Sequence, residues 1–168
     1  QLVLDLQGKF DGAVYVADGF KDSVGADQLG GNVGLLEGFR GTAPSASPAN
    51  GTPGFADRLE AAFPGTPTIF SAHFYDCLMV QVLAAQAAQS ADPAVYVDQI
   101  IAVTGGGEKC TDFASCFALL SEGKDIDYDG ASGPLDFGPN GEPAIGTYDI
   151  YTYDAEGAAN TDTQIVVP

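Results

Sequence analysis

The sequence predicts an α/β chain in which strands alternate with helices and β structure comes last. Three observations carry that reading. Ala13-Val14-Tyr15-Val16-Ala17 is a short, β-prone apolar run bounded by Gly12 and Asp18, the pattern of a strand buried on both faces. Between Thr52 and Leu120 apolar residues recur at helical spacing, punctuated by Pro and Gly. Beyond Gly133 the period changes to that of strands.

Each element follows from local signals. Residues 2–7 read as the end of a helix closed by Gly8. Asp18-Gly19 sits directly after the first strand, and the glycine-rich residues 23–36 form a loop with at most one short helix. Phe39-Arg40-Gly41-Thr42 is a further short strand, and residues 43–54, with Pro44, Pro48 and Pro53, form a loop or crossover. Thr52 is placed to cap the next helix, with Pro53 in its first position and Phe55, Leu59, Ala62 and Phe63 on one face. Pro64-Gly65 stops it. Residues 68–71 are strand-like, and residues 74–89 form the longest helix. Its apolar positions, including Phe74, Leu78, Met79, Val82 and Leu83, surround most of the circumference, so a core helix is expected. Asp92-Pro93 restarts a helix through Ile100, Ile101 and Val103, closed by Gly105-Gly106-Gly107. Asp112 caps a short helix carrying Phe113, Phe117 and Leu120. In the tail, Gly133-Pro134-Leu135-Asp136-Phe137 and Tyr148-Asp149-Ile150-Tyr151-Thr152-Tyr153 are expected to pair around the turn Gly138-Pro139-Asn140-Gly141.

Composition excludes several functions. The 168 residues include 6 Lys+Arg against 23 Asp+Glu, a net charge of −17. That balance argues against nucleic acid and anionic membrane surfaces, which select basic patches. Apolar stretches such as residues 78–85 are interrupted by Gln81 and fall far short of the ~20 residues that span a bilayer. No basic n-region precedes a long apolar run, and the chain opens on a patterned segment without Met, so it reads as a mature or trimmed product. Three cysteines are too few for a disulfide scaffold.

The residues resemble a known family. Lys124-Asp125-Ile126-Asp127-Tyr128-Asp129-Gly130-Ala131-Ser132-Gly133-Pro134-Leu135-Asp136-Phe137 is similar to the C-terminal crossover of type I periplasmic solute-binding proteins. The branch is the leucine/isoleucine/valine-binding-like one, serving branched-chain amino-acid ABC transporters. Gly138-Pro139-Asn140-Gly141 and Tyr148-Asp149-Ile150-Tyr151 resemble its terminal β-pair, and Phe70-Ser71-Ala72-His73-Phe74-Tyr75-Asp76 its long-helix start. Ala17-Asp18-Gly19-Phe20 and Arg40-Gly41-Thr42-Ala43-Pro44 also fit. The likeness covers nearly the whole chain but only the C-terminal half of such proteins. It implies part of a two-lobed fold with Rossmann-like lobes: residues 1–45 ending the second lobe, 46–52 a crossover, 53–128 the C-terminal part of the first lobe, and 129–168 a crossover and terminal β-pair. It also implies a non-enzymatic, extracytoplasmic receptor, periplasmic or attached to the cell surface. Its hinge closes on an amino acid or related solute for an ABC permease. The partners implied are the solute, the permease and an N-terminal half; no cofactor and no nucleic acid is expected.

Candidate site residues each carry a competing reading. Asp18 follows a strand where ligands of α/β sheets collect. In the resemblance an acid here pairs with a ligand ammonium, a strong contact once water is excluded; an Asp-Gly turn is the alternative. Phe70 is expected to end a strand and face the ligand side chain, or else belong to the core. His73 is the sole histidine, with Asp76 nearby, and reads as a helix-start residue rather than a catalytic or metal group. Cys110 and Cys116 lie six apart, beyond reach on one helix; with Asp112 as cap, Cys110 folds back, and the export implied by the family favours a disulfide. Cys77 is expected to be a buried free thiol. Asp125, Asp127, Asp129, Gly130 and Asp136 imitate an EF-hand loop, but the two flanking helices and the bidentate Glu are absent. Alternatives to the receptor are a carboxylate-dependent hydrolase, with no motif behind it, and a calcium-stabilised secreted domain resting on those acids.

Overall fold

The computed structural model describes residues 2–6, 9–21 and 24–168. In chain order its regular elements are α1 (Leu2–Leu6), β1 (Tyr15–Val16), β2 (Arg40–Pro44), α2 (Phe55–Ala62), α3 (Ser71–Ala87) and α4 (Pro93–Tyr96). They continue with β3 (Glu108–Cys110), α5 (Phe113–Ser121), β4 (Ile126–Gly130), β5 (Gly133–Pro134), β6 (Gly146–Tyr153) and β7 (Ala159–Val167). Short 3-10 turns occupy Asp18–Phe20, Val33–Leu36 and Val97–Gln99. The chain divides into two units, Gln1–Ser45 with Tyr148–Ile165, and Ala46–Thr147 with Val166–Pro168.

The first unit is built on a four-stranded sheet in the order β1-β2-β6-β7. β1 runs parallel to β2, with Tyr15 opposite Arg40 and Val16 opposite Gly41. β2 runs antiparallel to β6, from Arg40 opposite Thr152 to Pro44 opposite Tyr148. The expectation of a first strand buried on both faces does not hold: β1 has two residues and Tyr15 is 73% exposed. β1 is an outer strand with one neighbour, so nothing in its own unit covers Tyr15. The expected helix stop at Gly8 lies outside the described residues.

The tail pairs differently from its sequence signals. β6 pairs with β2 and neighbours β7, across the turn that Asp154 and Gly157 close. Gly133-Pro134 pairs instead with Asp129 and Gly130 of β4, in a three-stranded sheet ordered β3-β4-β5. The expected turn does form, with Gly141 N–H donating to the Gly138 carbonyl at 2.9 Å. It belongs to a loop, however, because Gly133-Pro134 folds back on the adjacent β4 while β6 pairs with the distant β2.

The second unit has the larger core. Met79, Val80, Leu83 and Ala84 of α3 pack with Val103, Cys110, Cys116, Ile126, Tyr128 and Leu135. Fully burying a Met, Val, Leu or Ile side chain stabilises by roughly 1.5–3 kcal/mol before entropy is counted. α3 has no internal Gly or Pro and ends where Gln89 turns left-handed at φ 50°, with Ser90 N–H reaching the Ala85 carbonyl. α5 ends in the same way on Gly123, the residue suited to that conformation. At its start Asp112 accepts from the N–H groups of Ala114 and Ser115, leaving Cys110 outside the helix and bonded to Cys116 across a Cα separation of 5.2 Å.

Other expectations are corrected. α2 is not capped by Thr52: it follows Gly54 at φ 72°, while Thr52 donates its N–H and hydroxyl to the Gly130 carbonyl at 3.0 and 3.2 Å. A tertiary acceptor has taken the groups a cap would use. Residues 68–71 form no strand, since residues 69–70 make a turn that leads into α3. β3 and β4 were hidden by their charges. Cys77 is a free thiol but exposed, because α3 is covered on one side alone, with Phe74 and Leu78 on its outer face 74% and 60% exposed.

One side chain organises this unit. The Asp76 carboxyl group is buried and accepts from Tyr128 OH at 2.8 Å, Ala131 N–H at 2.8 Å, Ser132 N–H at 2.7 Å and the Ser132 hydroxyl. A Cβ on Gly130 would come within 2.3 Å of this carboxyl group, so a side chain there is excluded by space. Asp76→Ala should lower stability by at least about 3 kcal/mol, since it strands several buried donors. Urea denaturation with Asp76→Asn alongside checks this; a midpoint unchanged by the alanine would refute it.

Candidate functional site

Asp18 stands where the sequence placed it, at the carboxyl end of β1 and at the start of the Asp18–Phe20 turn. Its Oδ1 accepts from Gly19 N–H at 2.8 Å, and its Oδ2 accepts no hydrogen bond from the described residues. The carboxylate is half-buried.

Two tyrosines of β6 hold this turn from below. Tyr151 OH donates to the Ala17 carbonyl at 3.3 Å and Tyr153 OH to the Phe20 carbonyl at 3.2 Å. The Phe20 ring meets Tyr153 edge-on at 6.0 Å. Gly41 is required for this arrangement, because a Cβ there would lie 2.5 Å from the Tyr151 ring. Lys21 then places its ammonium over Tyr151, 5.1 Å from the ring centre, and pairs with Asp149 Oδ2 at 3.1 Å. The pair is largely desolvated, with side chains 13% and 8% exposed. Gln164 donates to the other Asp149 oxygen at 3.0 Å and to Ser45 Oγ at 2.9 Å. Sequence reasoning missed this network. The available signal was an acid alternating with tyrosines at Asp149, Tyr151 and Tyr153.

Phe70 lies in the second unit, half-buried at the start of α3. It adopts φ 61° and ψ −1°, left-handed geometry that is uncommon for a bulky residue and costs about 1–3 kcal/mol. Its neighbours fix it there: Ser71 N–H and hydroxyl both reach the Thr68 carbonyl, and Phe74 N–H reaches the Phe70 carbonyl. The Phe70 ring stands edge-on to His73 at 6.1 Å. His73 Nδ1 is buried without a hydrogen-bond partner among the described residues. Burial lowers the His73 pKa, with Asp76 pulling partly the other way.

Two of the EF-hand-like acids lie on a strand. Asp127 and Asp129, two apart in β4, share a face, and Lys109 of β3 bridges them at 2.8 and 2.9 Å. Hydrogen bonds to Asp127 and then Asp129 hold the Lys109 pKa above its ordinary value. Among the described residues no group of three or more His, Cys, Asp or Glu side chains is placed to hold a metal ion. The 1-3-5 spacing of a calcium loop coincides here with the two-residue period of a strand. A cavity of about 260 Å³ in the first unit, lined by Val3, Phe10, Asp11, Val14, Leu35 and Phe39 among others, opens at the end of β1 opposite Asp18.

No protein-family model matches the sequence, and no curated protein matches it. Among solved structures the chain is similar to a leucine-binding protein from Thermotoga maritima, with a TM-score of 0.65 at 20% identity. The match covers 95% of this chain and 39% of that one. The fold is part of a periplasmic-binding-protein fold. Its mixed α/β character and its two sheets agree with that likeness.

The environment of His73 sets a pH dependence. A lowered folded pKa means that the unfolded chain binds more protons just below its own value of 6.5. Stability from this source is complete above that value and declines as pH falls through it toward the folded pKa. The stability difference between wild type and His73→Gln should therefore shift against the wild type on going from neutral to mildly acidic pH. Denaturation curves across that range measure it, and a difference independent of pH would contradict the assignment.

Proposed function

We propose that these residues belong to an extracytoplasmic, non-enzymatic solute-binding receptor that takes up an amino acid or related small solute for an ABC importer. The observation that carries this reading is the fold likeness, along nearly the whole chain, to a protein described as leucine-binding. The chain spans well under half of that protein, so the remainder of the receptor would be supplied by an N-terminal portion. In this reading residues 1–45 end one lobe, 53–128 belong to the other, residues 46–52 are a crossover, and residues 129–168 form a second crossover and the terminal β-pair.

Asp18 would accept the ligand ammonium. Supporting this are its place at the end of a parallel strand and the rigid turn under it, held by Tyr151 and Tyr153. Phe70 would present an apolar surface to the ligand side chain. Its left-handed backbone supports that role, since such strain recurs at ligand-holding positions.

Titration calorimetry on the natural polypeptide that carries these residues, with leucine, isoleucine, valine and other amino acids, tests the reading. An ammonium in a closed site needs an anionic partner, because an unpaired buried charge is costly. Asp18→Ala should weaken binding about 30-fold or more, and Asp18→Asn should fall between. Circular dichroism should show both variants folded. Unchanged affinity in a folded Asp18→Ala protein would return Asp18 to a turn residue, and no binding of any amino acid by wild type would reject the receptor.

A further inference from the structure

Asp18 and Lys21 stand three residues apart across the Asp18–Phe20 3-10 turn, and Lys21 N–H closes that turn on the Asp18 carbonyl at 3.0 Å. Side chains at i and i+3 eclipse in this geometry, so the cation nearest to Asp18 along the chain starts on the same side of the turn. A lysine stem is long and flexible enough to cover that distance. Yet Lys21 turns away. Its ammonium meets Asp149, 128 residues distant, at 3.1 Å and stands 5.1 Å from the centre of the Tyr151 ring. All six basic residues of the chain are described, and Lys21 alone among them is not exposed. Taking an ammonium out of water is costly unless it is paired. The pairing here is specific, because Asp149 is 5% exposed and Gln164 holds its other oxygen at 3.0 Å.

The two placements of Lys21 have opposite consequences for a ligand. On Asp18 it would neutralise the carboxylate, and an incoming ammonium would have to displace it. On Asp149 it leaves Asp18 Oδ2 without a hydrogen bond from the described residues. Tyr151 supports the second placement twice, with its ring beside the Lys21 ammonium and its hydroxyl on the Ala17 carbonyl. We propose that Asp149 is a positioning residue that sets the charge selectivity of Asp18. By holding Lys21, it reserves the Asp18 carboxylate for the ammonium of an α-amino acid over the neutral hydroxyl of the matching 2-hydroxy acid. This rests on the reading of Asp18 as the ligand's ammonium partner.

The test compares wild type, Asp149→Asn and the double variant Lys21→Gln/Asp149→Asn in the natural polypeptide that carries these residues. Calorimetry measures the amino acid that wild type binds most tightly, alongside its 2-hydroxy analogue. Asp149→Asn should lower the preference for the amino acid about 10-fold, since an ion pair at a half-buried carboxylate lies between exposed and buried ones. Removing the competing cation in the double variant should restore that preference to within about twofold. A purely structural role for Asp149 would weaken both ligands alike and leave the ratio unchanged, which overturns the proposal. So does a double variant no better than the single one. A crystal structure of unliganded Asp149→Asn reads the position of Lys21 directly. Its ammonium on the Asp18 carboxylate is expected, and an ammonium still beside Tyr151 refutes the proposal. Circular dichroism checks folding, and Asp149→Ser, smaller and still polar, carries the same expectations where the asparagine does not fold. No amino-acid binding by wild type would reject the receptor reading, while the position of Lys21 in the variant would still decide whether Asp149 keeps it off Asp18.

Discussion

The second unit depends on one buried carboxyl group. Asp76 sits on the covered side of α3 and gathers Tyr128 from β4 and the backbone of Ala131 and Ser132 just beyond it. Without it those donors would be buried and unpaired, each costing about 1–3 kcal/mol. With it, the chain after β4 is pinned to the middle of the main helix. Everything attached to that segment inherits its position. Thr52 reaches the Gly130 carbonyl, a Cβ on Gly51 would collide with the Ala131 carbonyl oxygen at 2.3 Å, and Thr147 bonds Asn50 at 2.9 Å. Burial also raises the Tyr128 pKa, with Asp76 adding to the effect, so its hydroxyl remains a donor across the ordinary pH range.

The first unit solves the same problem with a charged pair. Asp149 is buried on β6, with Lys21 on one oxygen and Gln164 on the other, and Gln164 continues to Ser45. Ser45, Tyr148 and Ile165 are the residues at which the chain enters or leaves this unit. Asp149 and Gln164 each adjoin one of these points, and Ser45 is one of them. In the second unit the stretches near the equivalent points, around Asn50 and Thr147, are tied through Thr52 to the chain that Asp76 fixes. Buried polar groups at such places hold backbone segments in one register, which apolar packing does less well.

What could be read from the sequence was local, and what could not was long-range. Asp112 as a cap and Pro93 after Asp92 are decided within a few residues, and the structure has them so. For the disulfide, a cap at Asp112 places Cys110 off the helix, and the export that the family resemblance implies favoured the bridge that the structure holds. Thr52 had the right residue type for a cap but a stronger claim on it came from Gly130, 78 residues away. β3 and β4 carry Glu108, Lys109, Asp127 and Asp129, which break the apolar pattern of a strand. They are strands because Lys109 answers both acids across the ladder. Of the candidate site, Asp18 and Phe70 were visible as residues. The Tyr151 and Tyr153 platform under Asp18 was not, because it depends on which strand β6 pairs with.

That platform determines what Asp18 can do chemically. A carboxylate at an ordinary Asp-Gly turn moves with the turn, and fixing it on a ligand would cost conformational entropy. Here the turn's carbonyls are held by two tyrosine hydroxyls, Gly41 leaves the ring space to approach, and Lys21 is already committed to Asp149. That commitment matters, because a free ammonium three residues from Asp18 would compete for its carboxylate. By giving Lys21 a buried partner of its own, Asp149 keeps Asp18 Oδ2 available. The buried pair and the half-buried acid are thus one arrangement: the first holds the backbone and commits the neighbouring cation, and the second keeps one carboxylate oxygen without a hydrogen bond from the described residues.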